Sequence, residues 1–251
     1  MERAVILAGC LLSLGLAGTA AQAAGVPAYI TAAVNDSARP EADKEADANR
    51  KPAETLAFAG VKPGDKVVEL AAGKGYYTRL LSAVVGPKGT VFVVVRPPKD
   101  ASAQPPPVQA IAADPHYGNV KIITENIGEV HVPEPADLVW TSQNYHDFHN
   151  IPDVKIETIN RAIWSALRPG GTYLVLDHAA EAGSGTRDTN TLHRIDKQTV
   201  VQEVTSAGFE LSGESDILNN KADPHTAKVF DPSVRGHTDQ FILKFKKKSS
   251  S

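Results

Sequence analysis

Val67-Val-Glu-Leu-Ala-Ala-Gly-Lys-Gly-Tyr-Tyr-Thr78 is the stretch on which the fold turns. Val67 to Leu70 read as a buried strand. A turn of small residues follows, Ala71 to Gly75, and opens a helix. In that helix Tyr77, Leu80, Leu81, Val84 and Val85 fall on one face of a 3.6-residue repeat. Strand, glycine turn and helix bring backbone close to a ligand at the carboxyl ends of α/β strands. Residues without a large side chain are needed there because a Cβ would hold the ligand away.

The loop resembles the first motif of the class I S-adenosylmethionine-dependent methyltransferases, an acidic residue followed by three glycines at alternate positions. Glu69 takes the acidic place, Ala71 the first glycine, and Gly73 and Gly75 the other two. A dinucleotide-binding reading fits worse, because its third glycine falls at Thr78 and no acid ends the next strand. Within the class, the chain is similar to a group of exported bacterial predicted methyltransferases. The residues that carry this are Phe58-Ala-Gly-Val-Lys-Pro-Gly-Asp65, Gly75-Tyr-Tyr-Thr78, Ser142-Gln-Asn-Tyr-His-Asp147 and Leu192-His-Arg-Ile-Asp196.

Outward from the loop, strands are expected at Thr90–Val95, Val120–Thr124, Ala136–Thr141, Thr172–Asp177, Phe209–Ser215 and Gln240–Lys246. A helix through Ile156, Ile159, Ile163 and Leu167 stops at the Arg168-Pro-Gly-Gly171 turn, and Lys197–Ala207 is helical again. The proline-rich run from Arg96 to Pro107 reads as a loop. Strands alternating with helices imply an α/β fold with a mostly parallel sheet and helices on both faces. The resemblance sharpens this to a Rossmann-like, seven-stranded class I methyltransferase fold over 52–248, its last strand antiparallel.

The amino-terminal 23 residues read as a secretory signal peptide: an apolar run from Ala4 to Gly18, then a small-residue cleavage pattern at Ala21-Gln-Ala23. The expected location is therefore outside the cytoplasm, in a bacterial periplasm, with no stable membrane insertion after cleavage. Leu7-Ala-Gly-Cys10 also matches a lipoprotein box, but the apolar run continues past Cys10. Cleavage after Ala23 leaves 228 of the 251 residues, enough for one α/β domain, and removes the single cysteine. Residues 24–51 then read as a surface extension with some helix. A net charge of −3 argues against a nucleic-acid footprint.

The resemblance implies S-adenosylmethionine as cofactor, held by Glu69, Ala71, Gly73, Gly75 and the N–H groups of Tyr76 and Tyr77, with Glu125 and Asn126 near the adenine or ribose. One departure stands out: Val95 and Arg96 occupy the end of the second strand, where most members carry an acid for the ribose hydroxyls. Beyond the fourth strand, Asn144 and Tyr145 are candidates to position a small or lipid-like substrate. His146 with Asp147 can accept a proton near neutral pH. His178, after strand five, can face the same pocket. A metal-dependent hydrolase is the rival enzyme, with Asp137, His146, Asp147, His149, Asp177, His178, Asp223 and His225 as possible ligands. No His-Glu-x-x-His pattern supports it, and His146 and His149 are expected in a loop, so no metal is assigned. No Gly-x-Ser-x-Gly elbow occurs either. A non-catalytic ligand-binding protein on the same fold is the other alternative, because of Val95 and because an exported chain must find a cofactor made in the cytoplasm.

Overall fold

The protein is described by a computed structural model over residues 25–98, 100 and 102–249; the expected signal peptide lies outside the described residues. In chain order the helices are α1 (Ala28–Val34), α2 (Glu41–Arg50), α3 (Pro52–Ala59), α4 (Tyr76–Val85), α5 (Val108–Ala113), α6 (Tyr145–Phe148), α7 (Ile156–Ala166) and α8 (Lys197–Ser206). The strands are β1 (Lys66–Leu70), β2 (Thr90–Val95), β3 (Val120–Thr124), β4 (Ala136–Ser142), β5 (Leu167–His178), β6 (Glu210–Ser215) and β7 (Gln240–Lys246).

One sheet takes all seven strands in the order β3-β2-β1-β4-β5-β7-β6. The first five run parallel, and β7 inserts antiparallel between β5 and β6. Successive residues serve opposite faces, as the strand period requires. Val67 and Trp140 pack with Leu56, Leu80 and Leu81 on one side, while Val68 and Val139 pack with Ile159, Ile163 and Tyr173 on the other. Covering both faces explains why β2 is apolar from Val91 to Val95 and why β1 is buried from Val67 to Leu70, Glu69 included. Eight of the ten α4 residues are buried, because α4 lies between the sheet and α1. Truncating Leu81 to Ala there would cost about 2–5 kcal/mol.

Three expectations need correction. The Arg168-Pro-Gly-Gly171 segment ends α7 but belongs to the start of β5: Ala136 pairs with Leu167 and Leu138 with Thr172, so the turn is a bulge against β4, with Gly170 at φ 73°. His146 lies in α6 rather than in a loop. Residues 28–50 are more than a surface extension. Ile30 and Ala33 enter the core, and Arg39 makes a bidentate pair with Asp47, which also accepts from the Tyr76 hydroxyl at 2.6 Å. These ties lay α2 beside the start of α4. Among the described residues no helix is long and apolar enough to cross a membrane.

Candidate functional site

At the carboxyl end of β1 the chain coils through three left-handed residues at alternate positions: Ala71 (φ 52°), Gly73 (φ 56°) and Gly75 (φ 80°). At position 75 the left-handed backbone favours glycine, and a Cβ, 2.1 Å from Ile111 Cδ1, would push that side chain aside. Gly73 faces open space. Gly75 caps α4 without any side-chain acceptor, so the first N–H groups of the helix stay available to an anion. Glu69 sits beneath, buried, and takes a 2.6 Å hydrogen bond from Thr78. Burial pushes its carboxyl up to about 7 despite that bond. The resulting cavity has a volume of about 240 Å3 and is walled by the loop, Tyr76, Asn144 and the Arg50 side chain of α2. Arg50 lies 4.5 Å from the Tyr76 ring.

Beyond β4, Gln143 is itself left-handed (φ 59°). Two non-glycine residues, Ala71 and Gln143, thus hold strained conformations on the same cavity, a pattern typical of functional sites. Asn144 donates its amide to the Ala71 carbonyl at 3.0 Å, so it braces the glycine loop. Tyr145 is fully buried, held by Asn160 and Glu203, and belongs to the core.

His146 is also buried. Asp177, at the end of β5, accepts its ring Nδ1 and its backbone N–H, each at 2.8 Å, and also the backbone N–H of His178. Burial works to raise the Asp177 carboxyl, but the His146 charge and these bonds outweigh it and hold it below the usual range. Burial works to lower His146, and the adjacent Asp177 carboxylate outweighs that too, leaving its pKa raised. His146, Asp147 and His193 each offer one ligand atom within 4.8 Å of the others, the one such group among the described residues that can converge on a cation. His149, instead, pairs with Glu203, and His225 with Asp239.

A second cavity of about 280 Å3 opens beside the first and shares Arg50 and Gln143 with it. His178 lines it; His146 does not. A relay of side chains crosses its floor. Arg50 donates to Gln143 at 3.2 Å, Gln143 to Gln240 at 3.1 Å, and Gln240 to Thr238 at 3.3 Å. Thr238 Oγ1 meets His178 Nδ1 at 2.7 Å. Burial drives the His178 pKa down to about 4, so the ring is neutral at physiological pH.

The structure therefore gathers Glu69, Ala71, Gly73, Tyr76, Tyr77 and Asn144 at one cavity and puts His178 at the next. Gly75 stands against α5 instead. Glu125 and Asn126 are turned away: Glu125 accepts from the His131 backbone N–H at 2.7 Å, and Asn126 donates to Glu129. At the ends of β2 and β3 a cavity of about 510 Å3 is lined by Val95, Arg96, Gln104, Gln109 and Thr124, without a carboxylate. Arg50, Gln143, Arg235, Thr238 and Gln240 escaped the sequence reading. A larger cavity, about 650 Å3, lies at the amino ends of β2 and β3 and is remote from these strand ends.

No family model matches the chain. It is similar to a protein-L-isoaspartate O-methyltransferase of Methanococcus aeolicus, 29% identical over 45% of this chain and 50% of the relative. It is also similar to a ubiquinone/menaquinone biosynthesis C-methyltransferase of Ectopseudomonas mendocina, 26% identical over 76% of this chain and 66% of the relative. The chain thus spans half to two thirds of these curated relatives. A solved S-adenosylmethionine-dependent methyltransferase from Aquifex aeolicus superposes with a TM-score of 0.56 at 15% identity, covering 83% of this chain and 98% of that one. That likeness is one of fold. In fold and in sequence the chain is similar to class I S-adenosylmethionine-dependent methyltransferases.

Proposed function

We propose that this protein transfers a methyl group from S-adenosylmethionine to a small acceptor. The observation that carries the reading is the pair of adjoining cavities at the strand ends, one built on the glycine loop and one on His178, joined by Arg50 and Gln143. The donor set of the first cavity fits the amino-acid end of the cofactor. The uncapped amino terminus of α4 and the Arg50 guanidinium suit a carboxylate. A cavity of about 240 Å3 is too small for the whole molecule. The adenosine end falls to the cavity beyond β2 and β3, where Gln104 and Gln109 would meet the ribose hydroxyls that an acid meets elsewhere. Bound this way, S-adenosylmethionine supplies a methyl carbon already activated by its sulfonium.

What remains for the chain is alignment and exclusion of water. Asn144 and the strained Ala71 hold the loop in register with β4. Asp177 fixes α6 and the start of the following loop by binding His146 and His178 together. His146 and Asp147 act as positioning residues in this reading, since the His146 ring faces neither cavity; His178 faces the acceptor.

Calorimetry with S-adenosylmethionine and S-adenosylhomocysteine tests the proposal. Both should bind, and Gly73→Asp should abolish binding by putting a carboxylate where the cofactor carboxylate belongs, with circular dichroism unchanged. Absence of heat at millimolar ligand would overturn it. Val95 favours a second reading, a non-catalytic ligand-binding protein on this fold. Binding without turnover across a broad panel of acceptors would select it. Export is part of the proposal and rests on residues 1–23. Mass spectrometry of the chain from a periplasmic extract should find Ala24 as the first residue.

A further inference from the structure

The acceptor cavity carries a charge pattern that narrows what it binds. Two guanidiniums line it, Arg50 and Arg235, and no carboxylate does. Neither arginine is in an ion pair among the described residues; Arg50 donates only to the Gln143 amide and stacks on Tyr76. Two guanidiniums without ion-pair partners on one cavity favour an anion there.

The relay on the floor adds a third donor. Arginine can only donate, so Gln143 must present its oxygen to Arg50 and its NH2 to Gln240. Gln240 must then present its own NH2 to Thr238. The Thr238 hydroxyl, which accepts from Gln240, pairs with His178 Nδ1 at 2.7 Å and fixes the ring. With Nδ1 engaged there, Nε2 is the ring nitrogen left to meet a ligand. That nitrogen has no protein partner among the described residues, and the ring lines the cavity. A ring that takes the Thr238 hydroxyl hydrogen at Nδ1 offers an Nε2–H donor to the acceptor molecule. Thr238, Gln240 and His178 are each less than a tenth exposed, so the relay is a built feature of the fold.

Resting on the methyltransferase reading, we infer that the acceptor is a small organic acid whose anionic oxygens are held by Arg50, Arg235 and the Nε2–H of His178. Its apolar body lies against Val229 and Phe230. Phe230 is 59% exposed at the cavity wall, the one large aromatic side chain left so open among the described residues. A volume of about 280 Å3 equals roughly nine water molecules, which suits a single-ring or short-chain acid and excludes a long lipid from full enclosure.

The test is calorimetric titration of the full chain, alone and with S-adenosylhomocysteine, using benzoate and phenylacetate against benzamide and phenylacetamide. The acids should bind about tenfold or more tightly than the matched amides, the difference expected of charge-assisted bonds. Arg235→Gln should weaken acid binding by about tenfold and leave amide and S-adenosylhomocysteine binding within about twofold, since Arg235 is exposed and does not line the glycine-loop cavity. Equal binding of acids and amides, no acid binding up to about 10 mM, or an Arg235→Gln variant with unchanged acid affinity would each overturn the inference. Acid binding by a chain that ignores S-adenosylhomocysteine would sink the methyltransferase reading and leave the anion site standing.

Discussion

Asp177 grips His146 twice, one carboxylate oxygen on the ring Nδ1 and the other on the backbone N–H, both at 2.8 Å. Every donor that reaches the buried carboxylate comes from a residue at the rim of the site. Asp177→Asn keeps the shape but removes the charge. Breaking a buried pair of this kind costs about 3–5 kcal/mol. With the carboxylate gone, burial is opposed only by the nearby Asp147, so the His146 pKa should fall from its raised value. Urea denaturation and an NMR titration of His146 measure the two effects; an unmoved His146 titration would contradict the clamp.

Stability should fall on acidification between pH 6.5 and about 4, and His178 is the reason. Its folded pKa is depressed, so below 6.5 the unfolded chain takes up a proton that the folded chain refuses until about pH 4. The stabilisation is complete above 6.5 and is reduced by roughly 3 kcal/mol at pH 4. His146 works in the opposite sense: its raised pKa contributes below 6.5 and is lost only as pH rises through the folded value. Thermal melts across this range should show the slope, and His178→Gln should flatten it.

Ala71 has a left-handed backbone with a Cβ attached (φ 52°), a conformation that costs about 1–2 kcal/mol for an L-residue. Its replacement of the family's glycine is therefore strained, although alanine is nearly as small. Ala71→Gly should raise stability by about 1 kcal/mol, less what the freer unfolded chain takes back. A shift of the urea midpoint to higher concentration checks this.

Arg194 and Asp223 form a bidentate pair with no solvent exposure on either side chain, and Arg194 also donates to the carbonyls of Ala179 and Ala227. Burial works to raise the Asp223 carboxyl; the Arg194 bonds outweigh it and keep it below the usual range. Asp223→Ala strands the guanidinium and should cost about 3–5 kcal/mol. Because Asp223 also accepts from the backbone of His225 and Asp239, the segment carrying Val229, Phe230 and Arg235 should loosen. Hydrogen exchange over 224–239 should rise in the variant more than over β1 or β4.

What could be read from sequence had a local cause. The glycine loop, β2 and β7 are continuous runs whose residue types answer to their own backbone conformation and to burial on two faces, so period and turn chemistry suffice. The acceptor wall is different. Helix α2 buries no residue fully, so no apolar stripe marks it. It contributes Arg50, whose partner Gln143 is 93 positions away. Gln143 adopts a left-handed turn that glycine or asparagine would have advertised. The place of Glu125 after β3 points it at the cofactor, but the short loop beyond it offers the His131 N–H instead. Long-range polar pairing leaves no periodic trace.

The position of Arg50 also decides how little of the chain can be spared. A protein shortened to begin at Pro52 would keep all seven strands and the glycine loop, and sequence patterning would pass it as whole. It would lack the wall common to both cavities, the hydroxyl anchor of Tyr76 on Asp47, and the donor that orients the amides of Gln143 and Gln240. Gln143 and Gln240 could then flip freely, and Thr238 would lose the amide donor that faces it. The orientation of two amides between β4 and β7 is thus written in a helix that precedes the first strand.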